Sequence, residues 1–394
     1  MSPAAPAARA AVAPFALVSC AYFAYAGLIA TYGPLWFKSI GYSTLAIGVL
    51  TSLQAGTRLF TPYAWGWLAD HIGRRERLLR AAAGGALLSA FGYFVSSGYA
   101  WVAWVTVVLF VFTAGVIPIS EALLAHRVSS EGRLDVGRYG RVRMWGSVGY
   151  VVSVLTSGFV LDASGVGWFP ALVVVLLAAL LHATWRLPPS PEATLRQAGA
   201  GALAILRQPV VAWFFAGVFL TVLAHTSLYA FYSLYLASLG YDKSAIGMLW
   251  AVALTAEFVW FWFQGRWVRR LSLHAWLVVA ALTSALRFAL IAACAGNAAV
   301  LIAAQLLHAI SFAAQHSICI ALITQHFPGR LRGRGQALYT VLGYGASGVV
   351  GGVAGGALSQ ALGFASVFWA ASGAALVAAW CSRRALVLDR ASAR

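Results

Sequence analysis

From about Val12 to about Arg384 the chain is a succession of apolar stretches, each about 20 residues long, enough to cross a bilayer as a helix. In lipid every backbone N–H and C=O must find its partner within the segment, and a helix does this. Hydrophobic residues make up 61% of the 394 residues and charged residues 9%. A soluble protein of this size could not cover its surface with so few charges. No separate soluble domain is visible. The first apolar stretch is too long for a removable signal peptide and lacks the cleavage pattern.

The spacing predicts twelve helices, near 12–37, 45–69, 78–97, 100–125, 141–162, 167–186, 209–237, 244–265, 273–295, 299–325, 335–361 and 364–384. The outer turns are short and carry glycine. The longest interruption begins Leu187-Pro188-Pro189-Ser190-Pro191-Glu192 and reads as a linker over 187–208. It separates an N-terminal six-helix bundle, 1–186, from a C-terminal one, 209–394.

The two halves share a string. Gly41-Tyr42-Ser43-Thr44-Leu45-Ala46-Ile47-Gly48 returns as Gly240-Tyr241-Asp242-Lys243-Ser244-Ala245-Ile246-Gly247. The same offset, from 41 to 240, sets Arg58 opposite Glu257. Six helices is an even number, so both halves enter the membrane the same way and the repeat is parallel.

The formal net charge is +17, but its placement argues against nucleic-acid binding. Of 27 basic residues, Lys38 and Lys243 lie in outer turns and Arg58 and Arg287 lie mid-span; the other 23 cluster on one side. That is the positive-inside pattern. It places both termini in the cytoplasm and the arginines at lipid headgroups. The four cysteines, Cys20, Cys294, Cys319 and Cys381, have no ligand spacing, so neither disulfides, a metal nor a cofactor is expected.

The informative residues are ionisable ones at membrane depth: Arg58, Glu121, His225, Glu257, Arg287, His308 and His316. Each charged one costs roughly 2.5–3.5 kcal/mol to insert. Such groups persist when paired, hydrated or needed; they serve either as buried ion pairs that tie helices together or as a ligand and proton site. His308 and His316 are eight residues apart, near one helix face, with Gln305 one turn earlier. The glycines of helix eleven, from Gly343 to Gly356, read as close-packing positions or as a ligand-facing surface.

Gly66-Trp67-Leu68-Ala69-Asp70-His71-Ile72-Gly73-Arg74-Arg75 joins the second and third helices. It resembles the signature loop of the major facilitator superfamily. The symmetric string Gly265-Arg266-Trp267-Val268-Arg269-Arg270 lacks the acid. Tyr139-Gly140-Arg141-Val142-Arg143-Met144-Trp145-Gly146-Ser147 is similar to the helix-five segment of the lactose permease family and, more closely, of the 3-phenylpropionate permease family. Ser244-Ala245-Ile246-Gly247, Glu257, Leu286-Arg287, and Gln305-Leu306-Leu307-His308 with His316 extend the likeness to the latter over nearly the whole chain.

The resemblance implies an all-α transporter of the major facilitator fold in a bacterial inner (plasma) membrane, not an enzyme, working as a monomer. Glu121 and Arg143 match the acid and arginine that hold sugar in lactose permeases. Glu257, Arg287 and His308 match that family's proton-coupling and ligand network. The lactose permease helix-ten acid falls at about Ser311, its helix-ten lysine at Gln305, and its helix-seven acid near His225. Arg58 has a counterpart only in the phenylpropionate-like pattern, which favours an anionic substrate.

The resulting expectation is proton-coupled uptake of a small aromatic monocarboxylate by alternating access. Moving a lone anion into a negative interior opposes about 2.3 kcal/mol per 100 mV, and one accompanying proton removes that penalty. Glu257 is the expected proton site, with His308 and Arg287 tuning it. Arg58, Arg143 or Arg287 would hold the carboxylate. Tyr22, Tyr25, Tyr229, Trp145 and Trp250 are candidates to stack on a ring, and His225 lines the same depth. Gly66, Asp70, Gly73, Arg74 and Arg75 would form the gating loop. A neutral nucleoside or sugar is the alternative substrate, for which the Glu121/Arg143 pair is suited. Export is a third reading, weakened because Gly146 to Gly158 lacks the proline of the drug exporters' helix-five motif.

Overall fold

A computed structural model describes residues 12–72, 74–130, 133–134, 136–189, 202–328 and 331–392. In chain order the helices are α1 (Ala13–Ser39), α2 (Thr44–Thr57), α3 (Thr61–Ile72), α4 (Arg75–Phe91), α5 (Tyr99–Thr113), α6 (Val116–Val128), α7 (Val136–Ser164), α8 (Phe169–Trp185), α9 (Ala202–Leu206), α10 (Pro209–Ser227), α11 (Ser233–Ser238), α12 (Lys243–Trp267), α13 (Leu273–Cys294), α14 (Ala298–Leu306), α15 (Gln315–His326), α16 (Arg332–Leu338), α17 (Ser347–Leu362) and α18 (Phe364–Ser392). One antiparallel pairing, Ser129–Ser130 with Arg133–Leu134, stands outside the helical pattern. π-helical segments Leu228–Tyr232, Ala309–Ala314 and Tyr339–Ala346 join α10 to α11, α14 to α15 and α16 to α17.

Ten helical runs among the described residues are long and apolar enough to cross a membrane. The expected second helix, 45–69, is broken into α2 and α3 around Arg58–Phe60. Pro62 explains the break: it has no N–H to give the carbonyl of Arg58, and its ring crowds that carbonyl. The chain bridges the gap with tight turns, Arg58 N to Ala55 O and Leu59 N to Gly56 O, both 3.0 Å. The equivalent position in the second half is Phe261, and α12 runs unbroken through Glu257.

The shared string folds the same way twice. Gly41 and Gly240 both take the left-handed conformation, with φ of 96° and 88°. Two residues later Ser43 and Asp242 have identical backbone angles, φ −68° and ψ 159°, and start a helix. Ser43 Oγ accepts from Ala46 N at 3.2 Å, an N-cap. Gly165 and Gly363, 198 residues apart, are also left-handed, with φ of 87° and 80°.

Packing divides the chain into two compact units, Met1–Ile40 with Phe60–Arg196, and Gly41–Leu59 with Gln197–Arg394. In the first unit α1 and α7 meet through small residues: a Cβ on Gly149 would run into the backbone of Cys20, and one on Gly27 into Tyr150. Tyr32 donates to Val154 O at 2.6 Å, and Trp36 stacks on Phe169 at 5.4 Å.

The second unit includes α2, although its sequence lies in the first half of the repeat. Gly48 of α2 meets the backbone of Gly352 and Gly356 with no room for a Cβ. Ser52 Oγ donates to Val349 O at 2.7 Å and Leu45 N to the Gln360 side chain at 3.3 Å. The glycines of α17 are thus used for close helix packing. The core of this unit gathers Trp260, Trp276, Phe214, Phe215, Leu322 and Phe327.

Candidate functional site

In the second unit α12, α13 and the junction between α14 and the π segment Ala309–Ala314 bring Glu257, Arg287 and His308 into one chain of contacts. Arg287 is fully buried. Its Nη1 lies 2.7 Å from His308 Nδ1 and 3.4 Å from Ser311 Oγ, and its Nη2 donates to Gln305 Oε1 at 2.5 Å. His308 Nε2 lies 3.3 Å from Glu257 Oε2. A guanidinium has donors only, so His308 Nδ1 must accept and the ring hydrogen sits on Nε2, facing the carboxylate. His308 is buried, whereas the Glu257 side chain is 20% exposed. The carboxylate is therefore the more exposed end of the chain.

The aromatic surroundings are close. The π segment Ala309–Ala314 begins one residue after His308, and such widened turns concentrate at functional sites. His308 stacks on Phe312 with centroids 4.9 Å apart. His225 donates from Nδ1 to Thr221 O at 2.8 Å, so its Nε2 is the bare nitrogen; the ring lies 5.7 Å from Phe312 and 6.4 Å from His308. Tyr229 stacks on Trp250 at 5.8 Å. Trp250 itself is buried and donates to Ser233 Oγ at 3.2 Å, leaving Tyr229 the more accessible ring of the two.

Arg58 lies at the end of α2, exposed, where the helix breaks. It makes no ion pair among the described residues. The register match of Arg58 and Glu257 thus becomes a cation at a helix break and an acid within a continuous helix.

The first unit carries a separate polar group. Arg143 of α7 pairs with Glu121 of α6, and its guanidinium lies 5.3 Å from the Phe23 ring centroid. Tyr139 hydrogen-bonds Glu121 as well; burial, then the Glu121 charge, pushes its hydroxyl up to about 12, so it stays a neutral donor. Trp145, on the same helix, is 53% exposed. Tyr22 packs edge-on against Phe23 and Tyr25.

Of the expected gating loop, Gly66 lies in α3 with open space around it, Arg74 caps α4 and Arg75 begins it. The Asp70 side chain and Gly73 lie outside the described residues. The sequence reading did not single out Tyr139 or Phe312 as site residues. Only the stepwise spacing of Phe312 between His308 and His316 offered a signal.

Bilayer-length helices that hold charged side chains in mutual contact at membrane depth define a polytopic membrane transporter. Residues 16–370 match the MFS_1 like family, and the chain belongs to it. It is a multi-pass protein of the inner membrane. A protein from Escherichia coli (strain K12) named a "probable 3-phenylpropionic acid transporter" is 30% identical over 357 residues, covering 88% of this chain and 91% of that one. Maltose permease of Geobacillus stearothermophilus is 30% identical over 274 residues, 68% of this chain and 67% of that one. Among solved structures, a mutant of the nucleoside transporter NupG superposes with a TM-score of 0.83 at 16% identity, over 95% of this chain and 99% of that one. The family and these relatives are transporters rather than enzymes.

Proposed function

We infer that this chain is a proton-coupled uptake carrier for a small aromatic monocarboxylate of the 3-phenylpropionate type. The observation that carries the reading is the Arg287–His308–Glu257 chain. Arg287 holds His308 in one tautomer, and a proton on Nδ1 would have to break that contact. Glu257 is then the group that loads and releases a proton, and His308 and Arg287 position it. Ser311 and Gln305 accept from Nη1 and Nη2 of the guanidinium where the resemblance to lactose permeases places an acid and a lysine.

The substrate class is supported by the arginines. Arg287 is buried and hydrogen-bonded through both Nη atoms, and Arg143 is paired with Glu121. Arg58 is left as the exposed guanidinium for a carboxylate, with Tyr229 and Phe312 as aromatic faces for a ring. The relative named for 3-phenylpropionic acid agrees with this class. Twelve helices in two parallel repeats, with α2–α3 and α4 completing the ten longer spans and both termini cytoplasmic, give the carrier its topology. The loop from Gly66 to Arg75 serves as its cytoplasmic gate.

A second reading, proton-coupled transport of a neutral nucleoside or sugar, draws on the Glu121–Arg143–Tyr139 group and on the nucleoside and maltose relatives. Uptake into proteoliposomes across phenylpropionate-like acids, nucleosides and sugars, with and without an uncoupler, decides. Uncoupler-sensitive accumulation of acids alone supports the first reading. Accumulation of neutral solutes alone replaces it with the second.

A further inference from the structure

The string Gly265-Arg266-Trp267-Val268-Arg269-Arg270 holds the place of the Gly66 loop without its acid. The lack extends beyond the string. The second unit has three acids, Asp242, Glu257 and Asp389. Asp242 stands at the opposite end of α12, Glu257 lies within its span beside His308, and Asp389 faces His274 at 3.3 Å. Arg266 and Arg269 are left without a carboxylate, and among the described residues neither guanidinium meets another acceptor.

These two arginines border a groove. Trp262, Phe263, Gly265, Arg266 and Arg269 line a cavity of about 280 Å³ at the end of α12. Its walls are braced from behind. Trp267 turns toward the core, 5.1 Å from buried Trp260 and 5.8 Å from Phe263, and so supports the Phe263 ring. The 3₁₀ turn Val268–Arg270, which carries Arg269, is held by Trp276, whose Nε1 donates to Val268 O at 3.1 Å. Gly265 keeps the groove open: a Cβ there would meet nothing within 4 Å. Trp262 is 67% exposed, with its ring free to face a ligand.

The groove also lies at a defined depth. α12 has 25 residues, ~37 Å at 1.5 Å each, against a hydrocarbon core of about 30 Å. Its ends therefore reach the headgroup layers, where a lipid presents phosphate next to glycerol and the first acyl carbons. Two guanidiniums beside an indole and a phenyl ring match that junction, with N–H forks for phosphate oxygens and apolar faces for the chain. A volume below the ~300–1,000 Å³ of pockets that enclose a whole ligand suits a headgroup whose chains stay in the bilayer. The sign of the headgroup follows from the missing acids. A zwitterionic lipid brings an ammonium with its phosphate, and no carboxylate is there to receive it.

We propose that the groove at the end of α12 binds the headgroup of an acidic phospholipid, with Arg266 and Arg269 on the phosphate and Trp262 and Phe263 against the glycerol and upper chain. The lipid supplies the counter-charge that this end of the second unit lacks. The site is independent of which solute the carrier moves.

The test titrates the full chain in detergent with phosphatidylglycerol and with phosphatidylcholine of the same chains, counting bound lipid by native mass spectrometry. One phosphatidylglycerol is expected to bind at least tenfold more tightly than phosphatidylcholine. Gly265→Leu fills the groove and leaves every charge in place; it should weaken that binding at least tenfold. Arg269→Gln should weaken it at least fivefold. Arg270→Gln removes the same charge from the same turn but not from the groove, and should change binding less than twofold. Equal weakening by Arg270→Gln and Arg269→Gln, or full binding by Gly265→Leu, reduces the attraction to general surface charge and overturns the site. Equal affinity for the two lipids overturns it as well. Inorganic phosphate and glycerophosphoglycerol, the headgroup without chains, are the competing free anions. Displacement of the lipid by either at equal concentration overturns the lipid as occupant, and retention of the lipid against a hundredfold excess supports it. If Gly265→Leu does not fold, Trp262→Ala, which removes the exposed ring and no charge, decides by the same tenfold criterion.

Discussion

Nη1 of Arg287 lies 2.7 Å from Nδ1 of His308, and this contact decides which nitrogen of the imidazole carries hydrogen. The ring therefore accepts on one side and donates on the other, linking a fully buried cation to a partly exposed acid. A side chain with both an acceptor and a donor can stand in for it, and an apolar one cannot.

His308→Gln should accordingly keep most of the stability, because its amide can accept from Arg287 and donate toward Glu257. His308→Leu should leave the buried Arg287 without one of its acceptors, a loss of about 1.5–3 kcal/mol. Thermal unfolding of the two variants in detergent compares them. A Leu variant as stable as wild type would show that the contact does not hold this part of the fold together.

Glu257→Gln keeps a hydrogen-bond acceptor for His308 but cannot lose a proton. Accumulation against a gradient should vanish while substrate exchange across the liposome membrane continues. Flux assays with and without an uncoupler read both, and surviving gradient-driven accumulation would remove Glu257 from the proton step.

Arg58 differs from Arg287 in being exposed, and its replacement should act on ligand rather than fold. Arg58→Ala is expected to weaken acid uptake tenfold or more in KM, about 1.4 kcal/mol. Its unfolding temperature should move little, because exposed sites away from packed features stay within about 0.5 kcal/mol. Arg58→Lys should recover only part, since an ammonium cannot engage a carboxylate bidentately. Undiminished uptake of every acid tested by Arg58→Ala would end its role as the anion anchor.

Much of this site was legible because membrane depth makes charge conspicuous. Glu257, Arg287 and His308 stand out in apolar runs, and the structure brings the three together. Glu121 and Arg143 stand out equally and also meet. The break at Arg58 was written in Pro62, a local signal, but hydropathy averaged over a whole span hides it. The placement of α2 with the second unit was not legible. It depends on Gly48 meeting Gly352 and Gly356, residues about 300 positions away, and no local pattern encodes such a partner.

The glycines make a paired test of packing against loop function. A Cβ on Gly48 would meet backbone of α17, so Gly48→Ala should cost about 1–3 kcal/mol as overpacking. Gly66 has nothing within 4 Å of that position, so Gly66→Ala should leave stability nearly unchanged. Lost transport in a Gly66→Ala protein of normal stability would assign the loop a role in gating. Normal transport would leave Gly66 no role beyond its place in α3.

Glu121→Gln separates the two substrate classes by opposite signs. Glu121 engages Arg143 and accepts from Tyr139. Neutralising it removes the ion pair and frees the Arg143 guanidinium. A neutral polyhydroxyl solute loses one of two carboxylate acceptors and meets an amide donor in its place, and in a site built for hydrogen bonding such losses are large, tenfold and upward. An anionic substrate loses nothing it could bind to and gains an unopposed cation. Uptake of a carboxylate by Glu121→Gln should therefore persist, with KM unchanged or lower, if Arg58 anchors an acid. A fall of tenfold or more for nucleosides or sugars in the same variant, with acids never transported, would shift the ligand chemistry to the Glu121–Arg143 pair. Parallel KM measurements on wild type and variant with both classes of solute give the sign directly.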